Sequence, residues 1–181
     1  EEQLGEGNIL LQGEEPCDLR PNLNCVLFPG VCKAKHSREN AIGWIAKSDT
    51  SAGDAIRIGV AHGSLEGLSP DFNWDYFPMT HKELEDSGMH LWLLGHTHIR
   101  YPGMEKGKDD RFFYPLVPEP DGFDCGHDGF AWVIHAKNDG GVKYESVQTG
   151  TFRFHKLDVE LRGEHDIKQL RGRFEAMRPE R

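Results

Sequence analysis

The stretch that decides the fold is Leu91-Trp92-Leu93-Leu94-Gly95-His96-Thr97-His98. Its four consecutive apolar residues are typical of a buried strand, and the glycine then interrupts the run. The two histidines that follow have one residue between them, so their imidazoles lie close together at the end of a rigid element. Neutral imidazole nitrogens are good metal ligands. The stretch therefore predicts a buried strand that presents metal ligands at its carboxyl end.

A second stretch repeats this arrangement earlier in the chain. It reads Ile56-Arg57-Ile58-Gly59-Val60-Ala61-His62-Gly63, a strand-like run that ends in a histidine and a glycine. Between the two stretches, Thr80-x-x-Glu83 is a capping box that predicts a short helix. A strand, a helix and a second strand form a βαβ unit, in which the two strands are parallel and the crossover is right-handed.

Parallel pairing would place the carboxyl ends of the two strands side by side. Open α/β sheets bind their ligands at this edge. We therefore expect His62, His96 and His98 to converge there as candidate metal ligands. The two stretches carry this prediction together, because a single histidine at the end of a strand is usually an ordinary loop residue.

The rest of the chain predicts shorter elements around this unit. We expect strands at 9–11, 25–28, 111–114, 129–136, 142–148 and 151–161, and helices at 37–47 and 80–87. Asn138-Asp139-Gly140-Gly141 predicts a hairpin turn, so the later strands favour an antiparallel sheet. The predicted fold class is α/β, a βαβ unit followed by an antiparallel sheet. Residues 164–181 are interpreted as a helical tail or linker that follows a first region, 1–163.

Length, net charge, apolar runs and cysteine content limit the kinds of protein that this chain can be. The 181 residues fit one domain, and 21 Lys and Arg against 30 Asp and Glu give a formal net charge of −9. This charge argues against a general polyanion binder, although metal ions could supply local positive charge to a nuclease. The sequence shows neither a membrane-spanning apolar run nor a signal peptide, so we expect a cytoplasmic protein. The four cysteines form no Cys-x-x-Cys pair and are predicted to be reduced thiols.

Several of these motifs resemble a known family. The strand followed by Ala61-His62-Gly63, and the strand followed by Gly95-His96-Thr97-His98, are similar to the last two metal motifs of calcineurin-like metallophosphoesterases. Phe113-Tyr114-Pro115 and Pro118-Glu119-Pro120-x-Gly122-Phe123-Asp124 resemble the DNA repair exonuclease branch, the SbcD-like proteins. The resemblance covers about residues 7–160, with Leu116 standing where the family often has a glycine after Tyr-Pro.

The resemblance implies a fold, a chemistry and a set of cofactors. It implies a double-sheet α/β sandwich flanked by helices, with two divalent metal ions, most often manganese; iron or zinc would also suit histidine ligands. His62 and His96 would bind one metal and His98 the other. The implied reaction is hydrolysis of a phosphate ester, with DNA as the favoured substrate and an ATPase subunit as a candidate partner.

The earlier motifs of that family are missing from this chain. These motifs are Asp-x-His, Gly-Asp and Gly-Asn-His. Asp-x-His and Gly-Asn-His do not occur, and Gly7-Asn8 is followed by Ile9 where the last motif requires histidine. A Gly-Asp pair does occur at Gly53-Asp54, but it falls in a loop just before the His62 strand and is therefore rejected. In the family these motifs supply the remaining ligands and the acid histidine, so we assign no catalytic residue here. We expect the chain to carry the carboxyl-terminal half of a phosphoesterase domain, with the rest supplied by another chain or lost from this one. Alone it should be poorly active or inactive.

Two other interpretations stay open. The chain could be a non-catalytic scaffold with a phosphoesterase fold that binds a protein partner, although a scaffold has no need of ligand histidines. It could also hold a single zinc ion on His62, His96 and His98. The number of metal ions bound per chain distinguishes the single-zinc site from the two-metal site. A scaffold would still bind its protein partner after His96 and His98 are replaced by alanine.

Overall fold

The computed structural model describes residues 9, 11–20, 22–69, 75–103, 111–123 and 125–177. Its main element is a six-stranded sheet with the order β1-β2-β3-β4-β6-β5. The strands are β1 (Cys17–Asp18), β2 (Cys25–Gly30), β3 (Ile56–His62), β4 (Leu91–Gly95), β5 (Arg100–Tyr101) and β6 (Phe112–Pro115). The four inner strands are parallel, and the two short edge strands are antiparallel to their neighbours.

The predicted βαβ unit is confirmed. β3 and β4 pair in parallel, and helix α1 (His81–Asp86) lies in the connection between them. Both hydrogen bonds of the capping box are present at the start of α1, with Thr80 as the N-cap. Gly88, whose φ is +74°, follows the end of the helix in the left-handed conformation that glycine favours. Local sequence signals and tertiary pairing therefore agree in this part of the chain.

One tryptophan joins the helix to the sheet. Trp92 in β4 is fully buried, and its Nε1–H donates to the carbonyl of Leu84 in α1 at 3.1 Å. Its ring lies flat on β3 at Gly59, where a Cβ atom would come within 2.1 Å of the indole. This close approach requires glycine. The more deeply buried face of β3 therefore carries Gly59, whereas Ile58 and Val60 on the other face are only partly buried.

A half-buried histidine ties the start of β4 to β3. His90 accepts a hydrogen bond through Nδ1 from the backbone N–H of Arg57 at 2.8 Å. Burial lowers the pKa of His90, and the guanidinium groups of Arg57 and Arg111 lower it further. The neutral imidazole is thus the form that the fold stabilises.

The opposite face of the sheet is only partly covered. The predicted hairpin is confirmed as β7 (Phe130–Ala136) and β8 (Val142–Gln148), and it lies over β6. There Trp132 packs edge-on against Phe113 and donates through Nε1 to the carbonyl of Tyr114. Beside the hairpin, Leu93 of β4 is still 38% exposed and lines an apolar cleft of about 650 Å³.

The helix predicted at 37–47 is wrong. Ser37 instead forms a bridge with Tyr76, and the Asn40 side chain accepts the N–H of Ile42. Only a 3₁₀ turn, Ile45–Lys47, is helical. Backbone pairing with a distant segment and a local turn at Asn40 therefore outweigh the helical periodicity, although Ile42 and Ile45 are buried as expected.

Other predicted elements differ in pairing or extent. β6 pairs in parallel with β4 and antiparallel with β5, so it belongs to the mixed six-stranded sheet and not to a sheet with β7 and β8. Residues 151–161 form no strand, because no strand in the described part of the chain pairs with them, and Ile9 and Leu11 are also irregular. The last helix is confirmed as α2 (Glu164–Ala176), but it buries no residue. Leu10, residues 1–8 and residues 178–181 lie outside the described residues.

The mixed α/β class is thus confirmed, with one sheet and one hairpin among the described residues. A full double-sheet sandwich, and the division into 1–163 and 164–181, stay predictions. All four cysteines, Cys17, Cys25, Cys32 and Cys125, are free thiols as predicted. In the described ranges, no helix has both the length and the apolar character needed to cross a bilayer.

Candidate functional site

The two histidine-bearing strands end side by side. His62, the last residue of β3, pairs with Gly95, the last residue of β4. Just beyond the strands, the N–H of Gly63 donates to the carbonyl of Gly95 at 3.2 Å, which continues the pairing into the loops. The parallel sheet therefore brings the two sequence motifs together at its carboxyl edge, as the βαβ pattern predicted.

His62 and His96 lie in contact at this edge. Their ring centroids are 5.3 Å apart, and the rings meet edge to face at 68°. A Cβ at Gly95 would lie 2.9 Å from Nδ1 of His62, so the missing side chain makes the space that the imidazole occupies. His96 has a φ of +99°, an uncommon conformation for a residue other than glycine. The fold holds both rings in one small volume at the expense of backbone strain.

Buried hydroxyl groups fix the turn that carries His96 and His98. Between these histidines Thr97 is buried, and its Oγ1 lies 2.5 Å from Oγ of Ser69. Ser69 in turn accepts the N–H of Leu65, three residues after His62. The two histidine loops therefore share one internal hydrogen-bond chain, which couples their positions.

A buried tyrosine anchors the first histidine loop to β6. The hydroxyl of Tyr114, which is fully buried, donates to the carbonyl of Gly63 at 2.9 Å. Sequence analysis noted Tyr114 only as part of a Tyr-Pro pair and missed this role. The hydrogen bond shows why an aromatic strand far along the chain contributes to the position of His62.

An aromatic wall closes one side of the histidine pair. The ring of Tyr76 stacks on His96 with centroids 4.8 Å apart and 30° between the planes. His36 lies 4.8 Å from the same tyrosine ring. The carbonyl of Tyr76 accepts the N–H of Ser64, so the wall is attached to the loop after His62. Sequence analysis missed this wall, because its segments are joined only by tertiary pairing.

His98 occupies a separate position. Its side chain is exposed, and Nδ1 lies 4.0 Å from Oδ2 of Asp121. The thiol of Cys125 donates to the other oxygen of Asp121 at 3.1 Å, and this hydrogen bond holds the pKa of that carboxyl below its ordinary value. The nearby imidazoles His98 and His127 lower the same pKa further. The Asp121 carboxylate, which sequence analysis did not single out, therefore faces His98.

The electrostatics of the edge favour a neutral His62. Partial desolvation lowers the pKa of His62, and the charges that His96 and His98 would carry lower it further. A neutral imidazole keeps a free lone pair, which is the form that binds a metal.

The donor set suits a metal only in part. Imidazole nitrogen is a suitable donor for manganese, iron or zinc, and the space at Gly95 lets His62 reach the edge. Within the described ranges, however, no three His, Cys, Asp or Glu side chains are placed so that they could hold a metal ion. The three predicted ligands stay a prediction, and these side chains alone do not form a two-metal centre.

A small cavity adjoins the histidine pair. It has a volume of about 230 Å³ and is bordered by side chains from four segments of the chain. These are Cys32, Ala34, Lys35, His62, Tyr76, Phe77 and His96. The thiol of Cys32 donates to the carbonyl of His62 at 3.1 Å, so the segment after β2 is in direct contact with the site.

Leu116 takes a backbone conformation that favours glycine. Its φ is +62°, in the left-handed region that favours glycine. Its N–H donates to the carbonyl of Ile99 at 2.9 Å, just beyond the histidine turn. The departure from the family's pattern therefore leaves the course of this loop consistent with a glycine. Asp124, at the end of the same motif, lies outside the described residues.

The similarity that comparison with known proteins finds supports the metallophosphoesterase superfamily in general. The chain is 27% identical over 117 residues to an uncharacterized metallophosphoesterase, YhaO, of Bacillus subtilis strain 168. The similarity covers 59% of this chain and 25% of that relative, so the chain spans about a quarter of the relative's length. No family model matches the chain, and no solved structure matches it.

Proposed function

We propose that this chain carries the later metal-binding part of a phosphoester hydrolase site. The observation that carries the proposal is the contact of His62 and His96 at adjacent carboxyl ends of parallel strands, with ring centroids 5.3 Å apart. In this proposal His62 and His96 bind one divalent ion and His98 binds a second. Manganese is the proposed metal, with iron or zinc as alternatives that imidazole ligands also accept.

The remaining ligands come from a segment with the missing carboxylates. Two features support this part of the proposal. The described side chains hold no complete ligand group, and an apolar cleft of about 650 Å³ leaves one sheet face partly uncovered. A complementary half-domain would cover that face and complete a double-sheet sandwich. Bound divalent ions would then neutralise the charge that develops on a phosphate ester.

The proposed substrate is a phosphodiester, and DNA in particular. This choice rests on the resemblance of the Tyr114-Pro115 loop to SbcD-like exonucleases, and on the position of Tyr114 beneath the His62 loop. The proposed setting is the cytoplasm, with an ATPase subunit as a candidate partner.

A metal titration tests the ligand assignment. We expect Mn²⁺ or Zn²⁺ to bind the purified chain in isothermal titration calorimetry, and His62→Ala or His96→Ala to weaken binding at least tenfold. The matched control is His135→Ala, because His135 is an exposed histidine of the β7–β8 hairpin. Absence of metal binding, or an equal loss in the control, contradicts the assignment.

A complementation experiment tests the half-site. We expect negligible hydrolysis of bis(p-nitrophenyl) phosphate by the chain alone, and activity after addition of a segment with the Asp-x-His, Gly-Asp and Gly-Asn-His motifs. Native mass spectrometry should then show both segments in one particle. Robust manganese-dependent activity of the lone chain contradicts the half-site. If the double variant His96→Ala/His98→Ala still binds a protein partner, and the native chain shows no phosphoesterase activity, the chain is a scaffold instead.

A further inference from the structure

We propose that Lys35 binds the phosphoryl group of the substrate beside His62 and His96. The inference rests on the proposed function and adds a residue that the metal motifs do not include. The chemical class that it assigns is a phosphate mono- or diester anion, recognised through its non-bridging oxygens.

The segment that follows β2 is locally basic in an acidic protein. Residues 32–38 read Cys32-Lys33-Ala34-Lys35-His36-Ser37-Arg38 and contain no acidic residue, whereas the whole chain has a net charge of −9. A cationic segment beside a cavity in an otherwise anionic protein focuses positive potential there. Its position is therefore suited to an anionic ligand.

Two cationic side chains of this segment already form salt bridges with neighbouring carboxylates. Lys33 pairs with Glu14 at 2.5 Å, and Arg38 pairs with Asp75 at 3.0 Å. Lys35 forms no ion pair with any residue that the structure describes, and it is exposed. With respect to the described residues, its ammonium group can therefore contact a ligand without first breaking a salt bridge.

The backbone holds Lys35 next to the histidine pair. Ser37 donates its N–H to the carbonyl of Asp75 at 2.8 Å and accepts the N–H of Phe77 at 2.9 Å. These two hydrogen bonds fix the basic segment against the aromatic wall, where His36 contacts Tyr76. Lys35 therefore lines the 230 Å³ cavity together with His62 and His96.

The chemistry of the lining selects Lys35 as the anion contact. Among the described residues around this cavity, Lys35 is the one with a full positive charge at neutral pH. An ammonium group on a flexible stem is a common phosphate ligand and forms charge-assisted hydrogen bonds with phosphate oxygens. A phosphoryl group held there would lie against the imidazoles that we propose as metal ligands.

The test uses inorganic phosphate as the probe and the full chain without added metal. Binding is followed by two-dimensional NMR at constant ionic strength, with chloride as the counter-titration. We expect Lys35→Gln to weaken phosphate binding about tenfold, as for loss of one charged hydrogen bond. Lys33→Gln is the matched control, because it removes the same charge two residues away from a lysine paired with Glu14. It should change binding less than twofold, and Lys35→Arg should restore most of it.

Each outcome decides between the inference and the proposed function. Equal losses in the two glutamine variants, or no phosphate binding by the native chain, overturn the assignment of Lys35. Metal binding that depends on His62 and His96 would in that case still support the proposed function. If phosphate binding depends on Lys35 while no metal binds, the anion site stands and the metal-dependent function fails.

Discussion

Replacement of Gly95 by alanine should reduce metal binding without reducing stability. The new Cβ would lie 2.9 Å from Nδ1 of His62, whereas ordinary Cβ contacts begin at 3.4 Å, so the imidazole must retreat by about 0.5 Å. Metal–ligand distances tolerate only about 0.2 Å. Displacement of an orienting group typically lowers metal affinity about 10- to 100-fold. We expect a loss in that range for Gly95→Ala.

The stability of this variant should be unchanged or slightly higher. Gly95 is not in the left-handed region, and alanine lowers the entropy of the unfolded chain, a gain of up to about 1 kcal/mol. The His62 ring is at an exposed edge and can move outwards. Calorimetric titration with Zn²⁺ gives the affinity, and thermal unfolding of the metal-free chain gives the stability.

The control for this experiment is Gly43→Ala. A Cβ at Gly43 would meet only the carbonyl of Asn40 at 3.5 Å, an ordinary contact, and Gly43 does not line the histidine cavity. Wild-type affinity in Gly95→Ala refutes the claim that the glycine makes room for His62. An equal loss of affinity in the control variant refutes it as well.

Three further substitutions test the packing that positions the site. Gly59→Ala should lower the free energy of unfolding by about 3 kcal/mol, because the new methyl group would overlap the buried Trp92 ring. The shift of the urea midpoint measures this loss. A change under about 0.5 kcal/mol would contradict the close packing. Thr97→Val should lower the free energy of unfolding by about 1–3 kcal/mol and should weaken metal binding, since it removes the buried hydrogen-bond partner of Ser69. Unchanged stability and unchanged metal affinity would show that this hydrogen bond does not couple the two histidine loops. The folded-state pKa of His90 is lowered, so its stabilisation is complete above the unfolded value of 6.5 and is lost as pH falls below it. His90→Asn keeps a side-chain acceptor for the N–H of Arg57. This variant should make the free energy of unfolding less dependent on pH around and below 6.5. A pH profile identical to that of the native chain would show that His90 does not contribute to the pH dependence of stability.

The parts of the fold that the sequence predicted are those with strong local signals. The apolar runs that end at His62 and Gly95 and the capping box at Thr80 predicted the βαβ unit correctly. Parallel pairing followed from that pattern, because a helical connection returns the chain in the same direction. The contact of His62 with His96 could therefore be expected from the sequence alone.

The parts that the sequence did not predict depend on distant segments. Ser37 has the residue type and spacing of a helix start, yet it pairs with Tyr76, because that bridge satisfies backbone groups at both segments. Residues 151–161 alternate like a strand but have no neighbour to pair with among the described residues. The position of Lys35 at the cavity follows from the same long-range bridge, so no local motif could have indicated it.

The hydrogen bond from Tyr114 to Gly63 also bears on the order of folding. It joins residues 51 positions apart, and the histidine loop is held in place only after β6 has docked onto β4. Parallel pairings of this kind close long loops before they gain stabilising contacts, so they form slowly. We therefore expect the chain to collapse and form α1 before the histidine edge is ordered. Ligand binding would then report the last stage of folding, and its recovery after dilution from urea should lag behind the recovery of helical circular dichroism.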